Sequence, residues 1–499
     1  MKNTTKRLIS AFLLLAVASS AAACAESGSA EKESGVSGQT EAVTEAETKE
    51  LTELEKRKFL KDSLPETTFG GKEFRITTRE NWSRTEVYTE EQNGEILNDA
   101  LFERNRTVEE RFDVKIVPLD VNPDNHLSVI RSSVQSGEND FELINSLCYQ
   151  TGTLVTEGML YNLLELPHTD FSQPWWINGI NDNYRIGDGI FVAVGDMCVS
   201  TLTLTYAFYY NRTLGANWDF DFETDIYNKV KDGTWTIDYV TEMVHDVYSD
   251  VNGDSQRDTG DIYGFTAESA TNLDVYPFAF NIHMIEKNAD GMPEIIFNSP
   301  KTIEAVEKVS RLYWDGVGSY IATQDYGEST VLFRNCKALF STIPLSAAFN
   351  TLRDMADEYT ILPYPKYEEA QEKYMTGTMD QHSVLSVPCT ITDPEFVSVI
   401  MEAINLESYK TLFPTYYEEA LQNKYARDEY TIEMLDILMQ GRNFDFATLF
   451  ASQLNNLTWI FREVVAGKKM DFASKYKTID KPANKSLEKI LKAYEDQIG

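Results

Sequence analysis

Apolar and polar residues alternate along residues 72–78 (KEFRITT), and this spacing predicts a β-strand. Residues 95–111 carry apolar side chains every three or four positions, which predicts a helix. Two more strands are predicted at residues 112–119 and 141–147, with a helix at residues 127–137 between them. Strands that alternate with helices in this way form a parallel sheet with helices on its faces. Ligands of such sheets bind beyond the carboxyl ends of the strands.

The second half of the chain continues the alternation after a long β-rich run at residues 189–211. This run is too long for one typical strand, and we interpret it as a crossover between two lobes. A helix at residues 236–248, strands at 337–343 and 359–363, and a return crossing at 383–388 are predicted after it.

Two helix starts and a helical tail complete the pattern. The pairs Ser299-Pro300 and Asp393-Pro394 each place a capping side chain before a proline, which predicts a helix start at both positions. The tail from Phe413 is mainly helical. The ordered part, about 430 residues from Phe69 onward, exceeds what one hydrophobic core normally holds, so two lobes are expected.

The N-terminus has the three parts of an export signal. Lys2, Lys6 and Arg7 precede an apolar run at residues 8–18, and the small residues 19–23 follow it. The apolar run has 11 residues, whereas a membrane-spanning helix needs roughly 20. Residues 1–23 are therefore predicted to be a signal peptide.

The sequence directly after this signal resembles a lipobox. In Ala21-Ala22-Ala23-Cys24, the cysteine would become the new N-terminus and carry a diacylglyceryl thioether. Alanine at position 21 departs from the usual leucine, and ordinary signal peptidase also accepts Ala-x-Ala, so simple secretion is the alternative. Residues 25–56 are rich in Glu, Ser, Thr, Ala and Gly, a composition typical of a flexible tether. We expect lipidated Cys24, a tether over residues 24–70, and attachment to the outer face of the cell membrane.

Net charge limits the classes of binding partner, and the cysteine content leaves the disulfide question open. The formal charge is −34, and removal of the signal with its three basic residues makes it −37. Such acidity argues against nucleic acid and anionic membranes as partners, because both need clustered Lys and Arg. Besides Cys24, the chain has Cys148, Cys198, Cys336 and Cys389, whose wide spacing is no disulfide framework. Bridges and buried free thiols both remain open for these four.

Seven stretches resemble one known family by their order and spacing. They are NGEILNDALFERNRTVEERFDVKI, DFELI, AFYYNRTLG, GTWTIDYV, CKALFSTIPL, YTILPYPKYEEAQEKY and SVLSVP. Together they cover residues 72–499 and are similar to the family 1 extracellular solute-binding proteins, the sugar-binding components of ATP-driven importers.

The resemblance implies a type II periplasmic-binding-protein-like α/β fold, with two lobes joined by hinge strands and a cleft that closes on its ligand. Lobe 1 would be residues 72–203 with 380–412, and lobe 2 residues 207–375 with 413–499. The implied partners are a mono- or oligosaccharide and the permease subunits of an importer, with the protein itself a monomer.

A sugar site needs an aromatic ring for the apolar face of a pyranose and polar groups for its hydroxyls. The candidates near predicted strand ends, lobe starts and crossings are Asn81, Trp82, Asn145, Ser146, Trp235, Ser341, Thr342, Asp380 and His382. For each of them, packing or an ordinary loop hydrogen bond is the alternative. Trp175 and Trp176 are interpreted as structural, with stacking by one of them left open.

One loop has the spacing of a calcium site. Positions 1, 3, 5, 7, 9 and 12 of the twelve-residue pattern are Asp250, Asn252, Asp254, Gln256, Asp258 and Asp261. Ser255 replaces the usual glycine at position 6, Asp261 replaces glutamate at position 12, and Arg257 stands where an apolar residue is common. The spacing predicts a structural Ca²⁺, and a solvated acidic turn is the alternative.

An enzyme is the main competing class. The sequence contains no Gly-x-Ser-x-Gly, no phosphate loop, no His-Glu-x-x-His and no Cys-x-x-Cys. A glycosidase needs only two carboxylates, so a carbohydrate-active hydrolase stays an alternative to the binding protein. A surface adhesin or a sensor subunit on the same fold is the third class.

Overall fold

The computed structural model describes residues 56–80, 83–323, 327–417 and 429–498. All of them belong to one compact unit, residues 51–499. The predicted signal peptide, Cys24 and residues 25–55 of the predicted tether lie outside the described residues. Within those ranges, no helix has both the length and the apolar character needed to cross a membrane.

Strands and helices alternate through most of the chain. The strands are β1 Lys72–Arg79, β2 Val114–Val121, β3 Leu143–Leu147, β4 Tyr206–Asn211, β5 Tyr248–Ser249, β6 Ile262–Glu268, β7 Ile285–Lys287, β8 Pro293–Ile295, β9 Ser319–Ala322, β10 Ala338–Pro344, β11 Tyr359–Leu362, β12 Thr376–Gly377, β13 Ser383–Ser386 and β14 Arg442–Asn443. The helices are α1 Arg84–Val87, α2 Ile96–Phe112, α3 His126–Ser136, α4 Cys148–Thr156, α5 Asn178–Tyr184, α6 Ser200–Thr203, α7 Arg212–Asn217, α8 Asn228–Lys231, α9 Ile237–Val244, α10 Val275–Ala279, α11 Pro300–Trp314, α12 Glu328–Arg334, α13 Ser346–Phe349, α14 Pro394–Glu407, α15 Glu429–Gln440, α16 Phe446–Leu449, α17 Ile460–Ala466 and α18 Phe472–Ile498.

Lobe 1 is built on the sheet β13-β3-β1-β2. β1 pairs in parallel with both β2 and β3, as the strand and helix alternation predicts. β13 closes the sheet by pairing antiparallel with β3, so the residues predicted as a return crossing already belong to lobe 1. The helix α14 begins where predicted, because the Asp393 side chain accepts from the Phe396 amide and proline occupies the first turn.

Lobe 2 is built on the mixed sheet β11-β4-β10-β6-β5, with β9 also paired to β6. Its strands β4, β6 and β10 are almost wholly buried. The β-rich run at residues 189–211 supplies only β4, since a short helix, α6, precedes it. The predicted helix starts at Thr236 and Ser299 are confirmed by side-chain caps to the amides of Tyr239 and Thr302.

The C-terminal tail contacts both lobes, although we assigned it to lobe 2 from the sequence. α15 packs on β11 of lobe 2, whereas α16 and α18 pack on α4 of lobe 1. The contact between α16 and α4 is close, because a Cβ at Gly152 of α4 would lie 2.5 Å from the carbonyl oxygen of Leu449 in α16. The tail therefore joins the lobes in a third place besides the two crossings.

Trp175 and Trp176 pack in the lobe 1 core around one buried carboxyl group. Their indole N–H groups donate to the two carboxyl oxygens of Glu402 at 2.7 and 3.0 Å. Glu402 is 3 % exposed. Burial raises the pKa of Glu402 to about 8, against the lowering effect of the two indole hydrogen bonds. Both tryptophans are thus structural, as the sequence interpretation favoured.

This carboxyl group should make stability depend on pH. The pKa of Glu402 is raised from 4.5 to about 8 by folding, so its stabilising contribution is complete below the lower value and is lost as pH rises to the upper one. We expect Glu402→Gln to remove that loss, because an amide does not ionise. Urea unfolding across this pH range measures it, with the exposed Glu395→Gln on the same helix as control. An unchanged slope in Glu402→Gln would contradict the assignment.

Candidate functional site

The two crossing segments between the lobes lie side by side. Thr205 pairs with Thr378 across them, and their hydroxyl oxygens are 2.9 Å apart. The Thr376 hydroxyl donates to the Tyr206 carbonyl at 2.7 Å, and the Ser383 amide donates to the Ser200 hydroxyl at 2.8 Å. These contacts make a narrow hinge of two tied segments.

A cavity of about 700 Å³ lies at the carboxyl ends of β1, β2 and β3. We call it the Arg79 cavity. Its lining residues are Arg79, Asn122, Pro123, Asp124, Leu127, Ser128, Arg131, Leu147, Tyr149, Gln150, Thr153, Gln381 and Ser452. It therefore occupies the sheet edge at which the sequence predicts ligand binding, and Gln381 connects it to the hinge.

A second cavity, of about 670 Å³, lies between the two lobes beside α1. We call it the Tyr416 cavity. Its lining residues are Arg84, Thr85, Tyr88, Thr89, Glu90, Glu91, Asn93, Leu97, Asn98, Leu101, Thr203, Ser346, Phe349, Asn350 and Tyr416. Arg84 forms ion pairs with Glu90 and Asp120, so its charge is already compensated.

Residues of both lobes and of the tail meet around one half-buried indole. We call this group, Tyr149, Asp274, Asp380, Trp459 and Arg462, the Trp459 cluster. The Trp459 indole donates to Asp380 at 3.1 Å and its ring lies edge-on to Tyr149, with 6.4 Å between ring centroids. Arg462 lies 5.6 Å from the Trp459 ring and pairs with Asp274 at 2.9 Å. Burial raises the pKa of both carboxyl groups. The charge of Arg462 opposes the rise for Asp274, and the Trp459 hydrogen bond followed by Arg462 opposes it for Asp380.

A buried polar relay joins the Arg79 cavity to the hinge. Arg79 donates to the Ser383 hydroxyl at 2.7 Å, and that hydroxyl donates to Glu86 at 3.0 Å. Burial lowers the pKa of Arg79 and raises that of Glu86, while their mutual attraction opposes both shifts. The relay fixes the end of β1 against the return crossing.

Four of the predicted contact residues lie near this region. Asp380 belongs to the Trp459 cluster. Asn145 and Ser146 are wholly buried beneath the sheet edge, where Ser146 bonds Thr151 at 2.6 Å and the Asn145 amide has no partner among the described residues. His382 is buried, with its Nδ1 2.8 Å from the Met379 carbonyl. Of these four, Asp380 lines a small cavity of about 20 Å³ beside Trp459, and none lines either of the two large cavities.

Three predicted contacts in lobe 2 lie in its core instead. Trp235 is 0 % exposed, packs on Phe208 and Phe340, and donates its indole N–H to the Pro363 carbonyl. Ser341 and Thr342 are likewise 0 % exposed within β10. These side chains line neither large cavity, because β10 is buried along almost its whole length and Trp235 packs against Phe340 of that strand. The structure therefore favours packing over ligand contact for all three.

The remaining pair, Asn81 and Trp82, lies outside the described residues, and their role in binding stays a prediction.

The predicted calcium loop has part of the expected backbone geometry. Ser255 at position 6 has a positive φ of 61°, and its amide donates to Asp250 at 2.9 Å. Asp261 is 0 % exposed, and among the described residues its Oδ1 has no hydrogen-bond partner. Across those same residues, no three His, Cys, Asp or Glu side chains are grouped closely enough to hold a metal ion. The carboxylates bond backbone amides of the loop instead.

The sequence interpretation missed the tail as part of the site. Trp459 stands 79 residues after Asp380, in a segment predicted only as helical. An indole flanked by Thr458 and followed by Arg462, in a chain with seven tryptophans, was the only local signal. All four remaining cysteines are free thiols, two of them buried.

Comparisons with known proteins identify the fold. No family model matches the chain, and no curated protein matches its sequence. Among solved structures, the chain is similar to the cyclic α-maltosyl-1,6-maltose binding protein of Arthrobacter globiformis, with TM-score 0.56, 13 % identity, and 84 % of this chain and 99 % of that one covered.

Two further structures agree with this result. The galacto-N-biose/lacto-N-biose I-binding protein of the Bifidobacterium longum ABC transporter gives TM-score 0.54 and 11 % identity over 84 % of this chain and 98 % of that one. An ABC transporter solute-binding protein of Thermotoga lettingae bound with α-D-tagatose gives TM-score 0.51 and 13 % identity, with 84 % of this chain and 100 % of that one covered. The chain therefore has the two-lobed α/β fold of periplasmic solute-binding proteins, as its sequence predicts.

Proposed function

We propose that this protein captures a carbohydrate in the cleft between its lobes and delivers it to an ATP-driven membrane importer. The observation that carries the proposal is the Trp459 cluster, where an indole, a phenol, two carboxyl groups and an arginine from both lobes and the tail meet. An aromatic ring suits the apolar face of a pyranose, and the charged groups suit its hydroxyls. The three similar structures are named for sugar ligands, which supports the same class.

The hinge couples ligand binding to the relative position of the two lobes. A ligand that contacts both lobes binds the closed form more tightly, so it shifts the population toward closure. Such a motion would bend the two crossing segments and the tail, which join the lobes. A closed monomer would be the form that the permease subunits recognise.

A ligand screen tests the proposal. Melting temperatures of residues 57–499 are measured with mono- and oligosaccharides, and hits are titrated by calorimetry. Ligand at about 100 times its dissociation constant should add roughly 2.7 kcal/mol of stability. Recovery of the intact saccharide after incubation distinguishes binding from hydrolysis. Cleaved products would favour the hydrolase, and no response from any saccharide would contradict the proposal.

We also propose that Cys24 carries a lipid anchor that holds the protein on the outer face of the cell membrane. Support comes from the lipobox-like sequence and the tether composition. Cys24→Ala should move the mature protein from the detergent phase to the aqueous phase, or leave the precursor uncut, because the thioether cannot form. Ser27→Ala is the matched control. Partition of Cys24→Ala into detergent as in wild type would contradict the anchor.

Calcium is our proposal for the loop at residues 250–261. The positive φ at Ser255 and the unpartnered buried oxygen of Asp261 support it, and Ca²⁺ would draw the carboxylates from the backbone amides. Chelation should lower the melting temperature, since the ion binds only the folded chain. Asp254→Ala should abolish that difference in scanning calorimetry, whereas Asp290→Ala in another exposed turn should keep it. Equal melting temperatures with and without Ca²⁺ would contradict a calcium site in this loop.

A further inference from the structure

The Arg79 cavity differs in charge from the rest of this acidic protein. Its lining includes two arginines against one aspartate, in a chain of formal charge −34. One of the two, Arg131, is already paired with Glu157 at 2.6 Å, so Arg79 is the main positive group of the cavity. The Tyr416 cavity has the opposite balance, with two glutamates against one arginine. The two cavities therefore offer a ligand different electrostatic environments.

Two helices begin at the wall of the Arg79 cavity. α3 and α4 have 11 and 9 residues, and neither has a side-chain cap at its N-terminus. In α4 the Cys148 and Tyr149 amides already donate to the His382 and Asp380 carbonyls at 3.0 and 3.3 Å, so α3 has the more open N-terminus. Leu127 and Ser128 from the first turn of α3, and Tyr149 and Gln150 from the first turn of α4, line the cavity. The N-terminus of a helix carries partial positive charge and favours a bound anion.

A buried arginine supplies the second, independent sign. Arg79 is 3 % exposed and lines the cavity, and among the described residues no acceptor reaches its Nε. Its Nη2 is occupied by Ser383, through which Glu86 compensates part of the charge. The Nε is itself buried, so a ligand in the cavity would interact with the charge of this guanidinium through the rest of the group, and hydrogen bonds to a charged group are strong.

The histidines on either side of Arg79 agree with a positive local potential. Burial, followed by the charge of Arg79, lowers the pKa of His126 to about 4. His382 shifts to the same value, with burial again the largest cause and Arg79 among the lesser ones. Neither ring therefore carries a proton at neutral pH, and Arg79 remains the charged group of this wall.

We propose that the Arg79 cavity binds the anionic group of an acidic saccharide, a carboxylate or a sulfate or phosphate ester. The inference rests on the proposed carbohydrate-binding function and names its ligand class. Arg79 and the N-terminal turns of α3 and α4 contact the anionic group, and the Trp459 ring, beside Tyr149 of the same wall, takes a neighbouring sugar ring. The cavity volume of about 700 Å³ falls within the range of sites for ligands larger than one ring.

Titration of matched ligands tests the proposal. Trigalacturonate, its neutral counterpart with the carboxyl groups reduced, and a sulfated galactose trisaccharide are each titrated by calorimetry at low and high salt. We expect at least one anionic trisaccharide to bind at least tenfold more tightly than the neutral one at low salt. Its affinity should fall as salt rises, because the interaction is between charges.

A variant that adds a negative charge at the cavity distinguishes a loss of anion binding from a general effect on folding. Ser128 lies in the third position of α3, is exposed, and tolerates aspartate there because a helix N-terminus favours negative charge. Ser128→Asp should weaken the anionic ligand at least tenfold more than it weakens the best neutral ligand, because the added charge repels only the anion. Ser474→Asp, the same change at the third position of α18, should alter neither.

The outcomes distinguish the two proposals. Equal affinity for neutral and anionic trisaccharides, or a neutral saccharide that binds more tightly and ignores Ser128→Asp, overturns the anionic site while carbohydrate binding stands. Inorganic phosphate or sulfate that binds in a Ser128-dependent way, with no response to any saccharide, keeps the anionic site and overturns carbohydrate binding. No response to any of these ligands overturns both.

Discussion

Replacing Arg104 with alanine should lower the free energy of unfolding by about 3 to 5 kcal/mol. Effects of this size are expected when a buried charged group is removed and its hydrogen-bond partners are left unpaired. The Arg104 side chain is 0 % exposed. It donates to the carbonyls of Glu86 and Val87 at 2.9 and 2.8 Å, to Asn105 at 2.7 Å, and to Ser408 at 3.3 Å. Burial lowers the pKa of its guanidinium to about 9.

The loss should extend to the binding site, because Arg104 holds α1 in place. The Glu86 carbonyl would lose the Arg104 donor, and the Val87 carbonyl would keep only the Asn105 amide. α1 also borders the Tyr416 cavity and carries the Glu86 of the relay. Urea unfolding measures the change. Arg106→Ala on the same helix is the control, since its side chain is 54 % exposed and forms only surface ion pairs with Glu103 and Glu110, typically worth less than about 1 kcal/mol. Equal effects of the two variants would contradict the role of Arg104.

The contrast between these arginines also shows how far the sequence could go. Arg104 and Arg106 stand two residues apart in one helix, and nothing local distinguishes the buried one from the exposed one. The helix itself was predictable, because its apolar positions recur with helical spacing and the surrounding strands alternate. Burial of Arg104 depends on Ser408, 304 residues away, and on the short helix α1.

Some residues of the candidate site could likewise be predicted from the sequence, and others could not. Asp380 was identified because it precedes a crossing segment that the alternation of strands and helices made visible. Trp235 was misassigned because an indole before a helix has the same local sequence signal whether it faces a cleft or the core. Its partners Phe208 and Phe340 come from two different strands of lobe 2. Trp459 was missed because the tail returns to the hinge only through its contacts with both lobes.

Replacing the half-buried Trp459 is expected to have the largest effect on binding. Trp459→Ala should weaken the best saccharide from the screen by roughly thirtyfold, about 2 kcal/mol, the usual effect of losing a central aromatic contact. Two contributions are lost together, the ring on which a pyranose face stacks and the N–H group that orients the Asp380 carboxyl at 3.1 Å.

A second variant separates those contributions. Trp459→Phe keeps an aromatic ring but removes the hydrogen bond to Asp380, so it should retain part of the affinity if stacking contributes most. Trp314→Ala is the control, because that indole is also half-buried and hydrogen-bonded, to the Val465 carbonyl at 2.8 Å, but lies outside the Trp459 cluster. Calorimetric titration gives the affinity of each variant, and urea unfolding gives its stability. If Trp459→Ala bound saccharide as wild type does while losing as much stability as Trp314→Ala, Trp459 would be a packing residue and the ligand would lie elsewhere in the cleft.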